Sequence, residues 1–330
     1  MLSARLPLLL DGPLSDLSPD ARVVIYRPRA GEDLTRFGTN NLQIVQGFKP
    51  DFDAFKAEGF DVRTEAEGDF DLAIVAVPRS KAQARALIAD AASRAARVLV
   101  DGQKTDGIDS LLKDIRRGAG AAQVISKAHG KSVLFSGGDF SDWADPGALQ
   151  LIDGFTTRLG VFSYDRIDKG SEALAAALPD RLPAKIADLG AGWGYLSRAI
   201  LSRDGVQELH VVEAEAAALA SARDNLTDPR VTFHWEDATR FTPPGKLDAV
   251  IMNPPFHTSR AADPALGQAF IEAAAGMLGP QGQLWLVANR QLPYEATLAA
   301  CFGSHAEIGT TQGFKLLHAA KPLRRARASV

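Results

Sequence analysis

Lys185-Ile186-Ala187-Asp188-Leu189-Gly190-Ala191-Gly192-Trp193-Gly194-Tyr195-Leu196-Ser197 is the stretch that decides the fold. A short apolar run ends in an acid, three glycines alternate with other residues, and a helical pattern opens behind them. Glycine lets backbone approach a ligand closely, and doubly wound α/β sheets bind nucleotides at the carboxyl end of the first strand. The spacing is D-x-G-x-G-x-G, which differs from the dinucleotide fingerprint G-x-G-x-x-G. Asp188 is expected to order the glycine turn through backbone N–H groups rather than act as a base. Working outward, Glu208-Leu209-His210-Val211-Val212-Glu213 reads as a second strand. It ends in an acid roughly 20 residues past the glycines, where such folds set a carboxylate on ribose hydroxyls. A third strand, Val231 to Trp235, runs into Glu236-Asp237-Ala238.

Further on, the apolar run Leu247 to Met252 leads directly into Asn253-Pro254-Pro255-Phe256. Two prolines remove two backbone donors and fix two φ angles. The side-chain amide of Asn253 and the carbonyl of Pro254 are then stiffly held acceptors beside an aromatic ring, a turn suited to a planar group bearing an NH2. The helix that follows opens on Asp263-Pro264, a cap and first-turn proline, and carries a core stripe at Leu266, Phe270, Ala274 and Met277. Before the glycine turn, Phe162 to Ser171 precedes a helix over 172–178, for which Ser171 or Gly170 is the expected cap.

At 330 residues and 46% hydrophobic, the chain can bury two ordinary cores. The single cysteine, Cys301, excludes an internal disulfide and reads as a packed thiol, in keeping with a reducing cytoplasm. The apolar run Leu6 to Leu10 is too short for a secretory segment, and nowhere do residues run apolar for a membrane span, so a soluble protein is expected. Six scattered histidines, with none at ligand spacing, imply no metal. A net charge of −3, near balance in each half, excludes a global basic field. The one basic cluster, Lys321, Arg324, Arg325 and Arg327, reads as a solvated terminus.

Residues 20–150 alternate strands and helices: Arg22 to Tyr26, Phe52 to Glu58, Asp71 to Val77, Lys81 to Ala96, Arg97 to Val100 and Gly107 to Arg117, with strands near 123–126 and 132–135. Setting Asp71 on Asp248 aligns Phe70–Pro78 with 247–255 and brings the following helix, strand and polar turn into the same order. An internal duplication is expected. In the first copy Ala76-Val77-Pro78-Arg79 replaces Asn-Pro-Pro-Phe, and no glycine fingerprint precedes it, so that copy keeps the fold without the chemistry. Ser136 to Asp139 and Asp142 to Pro146 read as the linker.

The glycine turn after one strand and Asn-Pro-Pro-Phe after a later one resemble the class I S-adenosylmethionine-dependent methyltransferases. Read with Leu266 to Ile271, Leu284 to Glu295, Gly313-Phe314-Lys315 and Phe162 to Ser171, the chain resembles the bacterial ribosomal RNA guanine-N2 methyltransferases of the small-subunit type. That resemblance implies an α/β fold of two tandem Rossmann-like domains, each with a seven-stranded, mostly parallel sheet and helices on both faces. Residues 1–150 would be the degenerate copy, serving RNA binding and folding, and 151–330 the catalytic domain. It implies S-adenosylmethionine as cofactor, held by Asp188, Gly190, Gly192, Gly194, Glu213, Asp237 and Ala238, with Asp237 on the adenine amine. It implies Asn253, Pro254 and Phe256 as the catalytic positions, and ribosomal RNA or the small subunit as partner of a cytoplasmic monomer. A DNA adenine-N6 or protein glutamine-N5 methyltransferase would share Asn253 to Pro255, and a silent RNA-binding or assembly module would share the fold.

Overall fold

A computed structural model describes residues 2–255, 264–311 and 313–323. The chain divides into two compact units, Met1–Gly147 and Ala148–Val330.

The first unit runs α1 (Leu6–Leu10), β1 (Val23–Tyr26), β2 (Leu42–Val45), α2 (Lys49–Ala57), β3 (Asp61–Arg63), β4 (Phe70–Ala76), α3 (Lys81–Arg94), β5 (Ala95–Gln103), α4 (Ile108–Ala119), β6 (Gln123–Lys127) and β7 (Gly130–Ser136). Its sheet has the order β3-β2-β1-β4-β5-β7-β6. Strands β1 to β5 pair in parallel, and β7 lies antiparallel to both β5 and β6. All four residues of β1 are buried, as a strand covered on both faces requires. Helices α3 and α4 cover one face through Ile88, Leu111 and Ile115. The run Leu6 to Leu10 is α1, and with α2 it packs on the opposite face against Ile25, Leu72 and Leu99.

The second unit opens with a small antiparallel pair, β8 (Leu149–Gln150) and β9 (Thr156–Thr157). It continues through α5 (Lys169–Ala177), β10 (Lys185–Leu189), α6 (Tyr195–Leu201), β11 (Glu208–Glu213), α7 (Ala216–Asn225), β12 (Val231–Trp235), β13 (Leu247–Met252), α8 (Pro264–Met277), β14 (Leu278–Asn289), α9 (Glu295–Cys301), β15 (Phe302–Thr311) and β16 (Phe314–Pro322). The sheet order is β12-β11-β10-β13-β14-β16-β15, the same permutation as in the first unit. Alternate residues of β13 feed opposite faces. Ala249 and Ile251 pack with α5, α6 and α7, whereas Val250 and Met252 pack with α8 and α9. Cys301 is buried in the latter core.

Equivalent hydrogen bonds recur in the two units. Asp71 Oδ2 accepts from Arg22 N at 2.8 Å, and Asp248 Oδ2 accepts from Lys185 N at 3.0 Å, each carboxylate fastening the start of the first strand of its sheet. Lys131 at the start of β7 pairs with Asp109 in the first turn of α4, and Lys315 at the start of β16 pairs with Glu295 at the head of α9. Such side-chain bonds are not dictated by an α/β rhythm, and they support duplication. The copies part between the first two strands, where the first unit has a short 3-10 turn, Thr35–Phe37, in place of a glycine turn and helix. At the end of β4 a Cβ on Gly102 would lie 3.0 Å from Val77 Cβ, so apolar packing fills that corner.

Three expectations are corrected. Helix α5 begins at Lys169, and its cap is Asp168, whose side chain accepts from Ser171 N; neither Ser171 nor Gly170 is the cap. Strands β2, β3 and β15 were not anticipated, since Leu42–Val45 and Asp61–Arg63 are short and β15 is an exposed edge strand lacking an apolar face. Of the polar turn expected at Gly102-Gln103-Lys104, after the strand Arg97 to Val100, Gly102 and Gln103 belong to β5. Between the two stretches expected as linker, Phe140 is buried in the first core against Phe135 and Trp143.

Arg5 is fully buried and forks onto Asp101 at the end of β5, with Nε to Oδ1 at 2.6 Å and Nη2 to Oδ2 at 2.7 Å. Its Nη1 donates to the carbonyl of Lys127 at 2.9 Å, while Ser132 Oγ donates to Asp101. Removing one partner from such a pair strands a buried charge at a cost of about 3–5 kcal/mol. Asp101→Ala is therefore expected to lower the protection of β5 and β7 amides by that amount in native-state hydrogen exchange. Loss of the half-buried i,i+4 pair Lys49–Asp53 is expected to cost only about 0.3–0.5 kcal/mol.

Candidate active site

β10 and β13 are neighbours in the sheet, with Leu189 opposite Met252, so the loops leaving their carboxyl ends emerge side by side. The glycine turn follows β10, and Asn253-Pro254-Pro255 follows β13. Gly190, Gly192 and Gly194 have φ of 70°, 58° and 90°, left-handed values that explain glycine at all three positions. A Cβ on Gly190 would sit 3.4 Å from the Phe270 ring and 3.9 Å from Pro255 Cδ, bringing the two loops within contact distance. A Cβ on Gly192 would meet nothing within 4 Å, so the turn presents backbone to open space.

The turn is laced by Glu213, at the end of β11. Its Oε2 accepts from Gly192 N and its Oε1 from Glu215 N, both at 2.8 Å. Burial pushes the Glu213 carboxyl up, opposed by those backbone N–H groups. Asp188 does not order the turn as expected. It is fully buried, its Oδ2 accepts from Ser197 Oγ at 2.6 Å, and its Oδ1 has no hydrogen-bond partner. Burial raises its pKa to about 7, with the nearby Glu213 charge adding to the rise. The strand ends on the acid's buried side, so its carboxylate meets the helix behind the turn rather than the turn's own N–H groups.

Asp237 follows β12, with Oδ1 taken by Thr239 N and Oγ1 at 2.8 and 2.7 Å, which leaves Oδ2 as its further acceptor. Ala238 is buried in the core beside it. Asn253 is half-buried, Pro254 is buried and Pro255 exposed. Asn253 Nδ2 donates to Asp168 Oδ2 and to Ser171 Oγ, each at 2.9 Å. Asp168 and Ser171 are thus site residues that sequence reasoning missed. A top-ranking cap residue directly before a helical pattern was the available signal for Asp168, but a contact across 85 positions leaves no local trace. Phe256 and His257 lie outside the described residues, as does Asp263.

One segment joins the two loops. Trp193, within the glycine turn, donates from Nε1 to the carbonyl of Phe162 at 3.1 Å and packs on Phe155. Asn225 at the end of α7 ties Trp193 O to both backbone groups of Thr156. The same stretch then reaches Asp168. Open left-handed backbone, the carboxylates Glu213 and Asp237, and an orphaned buried oxygen on Asp188 make a donor and acceptor set that fits a nucleoside with hydroxyls and an amine. The neighbouring acceptors of the Asn-Pro-Pro turn suit a second, amine-bearing planar group. Among the described residues there is no cluster of histidine, cysteine and carboxylate that could hold a metal ion, and no helix long and apolar enough to cross a membrane.

Comparison with known proteins agrees with this arrangement. Residues 154–318 match the model of the methyltransferase small domain. A ribosomal RNA small subunit methyltransferase C of Shewanella sp. (strain MR-7) is 31% identical over 262 residues, covering 75% of this chain and 76% of that protein. A ribosomal RNA large subunit methyltransferase G of Ectopseudomonas mendocina is 34% identical over 182 residues, covering 54% and 48%. Among solved structures, a T. thermophilus 16S rRNA N2 G1207 methyltransferase in complex with AdoMet and guanosine superposes with a TM-score of 0.77 at 24% identity. It covers 95% of this chain and 92% of that one, so the fold is shared throughout.

The Asp188 carboxyl has a testable signature. Its pKa in the folded protein lies above the ordinary value, so the folded state keeps a proton that the unfolded chain releases above pH 3.8. The stability it contributes is full below that pH and is lost as pH rises toward about 7. Urea midpoints of the ligand-free protein are expected to fall across this window, with Asp188→Asn flattening the decline. An unchanged slope in the variant would assign the titration to another group.

Proposed function

The chain belongs to the family of ribosomal RNA small subunit methyltransferases C, built on the methyltransferase small domain, and from that premise we propose that it transfers a methyl group from S-adenosylmethionine to the exocyclic N2 amine of a guanine in small-subunit ribosomal RNA. The carrying observation is the side-by-side placement of the glycine turn and Asn253, on adjacent strands, with the amide nitrogen of Asn253 turned onto Asp168.

S-adenosylmethionine supplies an electrophilic methyl on a sulfonium centre. The backbone of Gly190, Gly192 and Gly194 would receive the cofactor, with Asp188 bordering it and Glu213 accepting from its ribose. Asp237 would accept from the adenine amine, with Ala238 keeping that wall small. Glu213 already holds Gly192, so one carboxylate sets both turn and sugar.

An exocyclic base amine is a poor nucleophile because its lone pair is delocalised into the ring. Asn253 Oδ1 and the Pro254 carbonyl each accept one N–H, which favours a pyramidal nitrogen with its lone pair free. The bound cofactor would supply its methyl to that lone pair, the sulfur keeping the electrons of the broken bond, and the amine nitrogen would then lose a proton to water. Positioning and preorganised acceptors supply the rate enhancement, so no strong base is required. Phe256 stacks on the base, which is taken from a loop or flipped from a helix.

The first unit serves RNA binding and folding. In support, Lys81, Arg85 and Arg117 converge on the single buried carboxylate of Asp114, leaving surplus positive charge at the surface, with Arg85 over the Trp143 ring. A cytoplasmic monomer completes the reading. The match to a large-subunit enzyme spans about half of this chain, so the small subunit is preferred.

The test is nucleoside analysis of both ribosomal RNAs from cells lacking the protein and from cells carrying Asn253→Ala. Loss of one N2-methylguanosine from small-subunit RNA is expected in both, with activity in vitro down about 10²–10³-fold for the variant. An unchanged small-subunit RNA would overturn the reading, and loss from the large subunit would move the substrate there.

A further inference from the structure

A carboxamide has two nearly isosteric orientations, related by a half-turn about its last torsion, and only one presents an acceptor. In the wrong one Asn253 would aim two N–H donors at an amine that is itself a donor. Something in the protein must choose. The two neighbours of Asn253 Nδ2 differ in what they can enforce. Ser171 Oγ is a hydroxyl and bonds either end of an amide, whereas the Asp168 carboxylate only accepts. With Asp168 Oδ2 2.9 Å away, nitrogen must face it and Oδ1 must face the opposite way.

We propose that Asp168 is a positioning residue for methyl transfer, fixing the amide of Asn253 with its oxygen toward the acceptor amine, and that Gly170 makes room for it. The inference rests on the functional reading above and goes beyond it by naming what orients the catalytic amide. Asp168 is itself held, because Oδ2 also accepts from Ser171 N at 2.8 Å as the cap of α5. A Cβ on Gly170 would lie 3.0 Å from that same Oδ2 and 3.1 Å from Cε1 of Phe314, so a side chain there would press on the carboxylate from a site already closed by the ring. The backbone at Gly170 has no positive φ. Glycine costs helix propensity at this position, so space for the carboxylate is the reason for it. The carboxylate has a second effect. Bonded to the amide N–H, it polarises Asn253 and strengthens Oδ1 as an acceptor while positive charge develops on the amine nitrogen.

The test separates this role from helix capping. Serine caps as well as aspartate but can also donate, so Asp168→Ser keeps the cap and removes the one-way choice. Asp168→Asn keeps both cap and acceptor, and Gly170→Ala improves helix propensity while crowding the carboxylate. Each would be assayed with tritiated S-adenosylmethionine on small ribosomal subunits from cells lacking the protein. Parallel measurements would give cofactor affinity by calorimetry and melting temperature. Asp168→Ser is expected to lower kcat about 10–30-fold. Gly170→Ala is expected to lower it several-fold and Asp168→Asn least. Cofactor Kd and melting temperature should stay near the parent's. In an Asn253→Ala background, Asp168→Ser is expected to change the single-turnover rate by less than about twofold, since its effect runs through Asn253. An equal loss in both backgrounds, or a fall in cofactor affinity and melting temperature that tracks kcat, would overturn the positioning role. A parent protein that transfers no methyl to these subunits would overturn the functional reading and this inference with it; an active parent indifferent to Asp168→Ser would overturn the inference alone.

Discussion

The pairing of β10 with β13 is the constraint on which the site depends. Parallel strands numbered first and fourth in their sheet can lie together only if the chain winds outward to β12 and then crosses back, and the crevice at that reversal is where open α/β sheets bind ligands. Leu189 opposite Met252 sets the register, and a slip of one residue would turn Asn253 to the other face. Apart from Asp188 in β10, these two strands carry no site residue. They are buried runs whose alternate residues feed two separate cores, and rigidity from both sides is what lets two short loops hold acceptors at fixed positions.

Much of this was legible in the chain. Strands covered on both faces announce themselves as continuous apolar runs, and glycines at alternating positions announce a turn whose backbone can approach a ligand; the left-handed φ values at Gly190, Gly192 and Gly194 are what the structure adds. The fold, its doubling and the family were therefore readable. What escaped was whatever depends on partners distant in sequence. Asp188 looked like the group that orders its own turn, yet the pleat sends its side chain to Ser197, and Glu213 from the next strand does the ordering. Asp168 was passed over as a cap because the helix begins at Lys169, ahead of the expected Glu172, and its bond to Asn253 spans 85 positions with no local trace. Strand β15 escaped because an exposed edge has no face to bury, and pattern reading depends on burial.

The two sheets share an order and two matching side-chain bonds, yet differ where chemistry would sit. In the second unit the end of strand five continues as apolar Val287 and Ala288 beneath a polar turn. In the first, Asp101 stands at the end of that strand and receives Arg5, and Val77 packs on Gly102 where the other copy keeps Asn253 and its prolines. The charged pair that now plugs the corner relieves it of any need to stay open.

That plug also bears on how the protein is made. Arg5 and its partner are 96 residues apart, so the amino-terminal segment leaves the ribosome long before the carboxylate that fixes it exists. At synthesis rates of about 5–20 residues per second, Arg5 waits roughly 5–20 seconds for Asp101. Because Ser132 and the Lys127 carbonyl complete the same cluster, closure awaits β6 and β7 as well. The last strands of the first sheet and the first residues of the chain therefore lock together in one event, which makes the first unit a body that finishes as a whole while the second is still being translated.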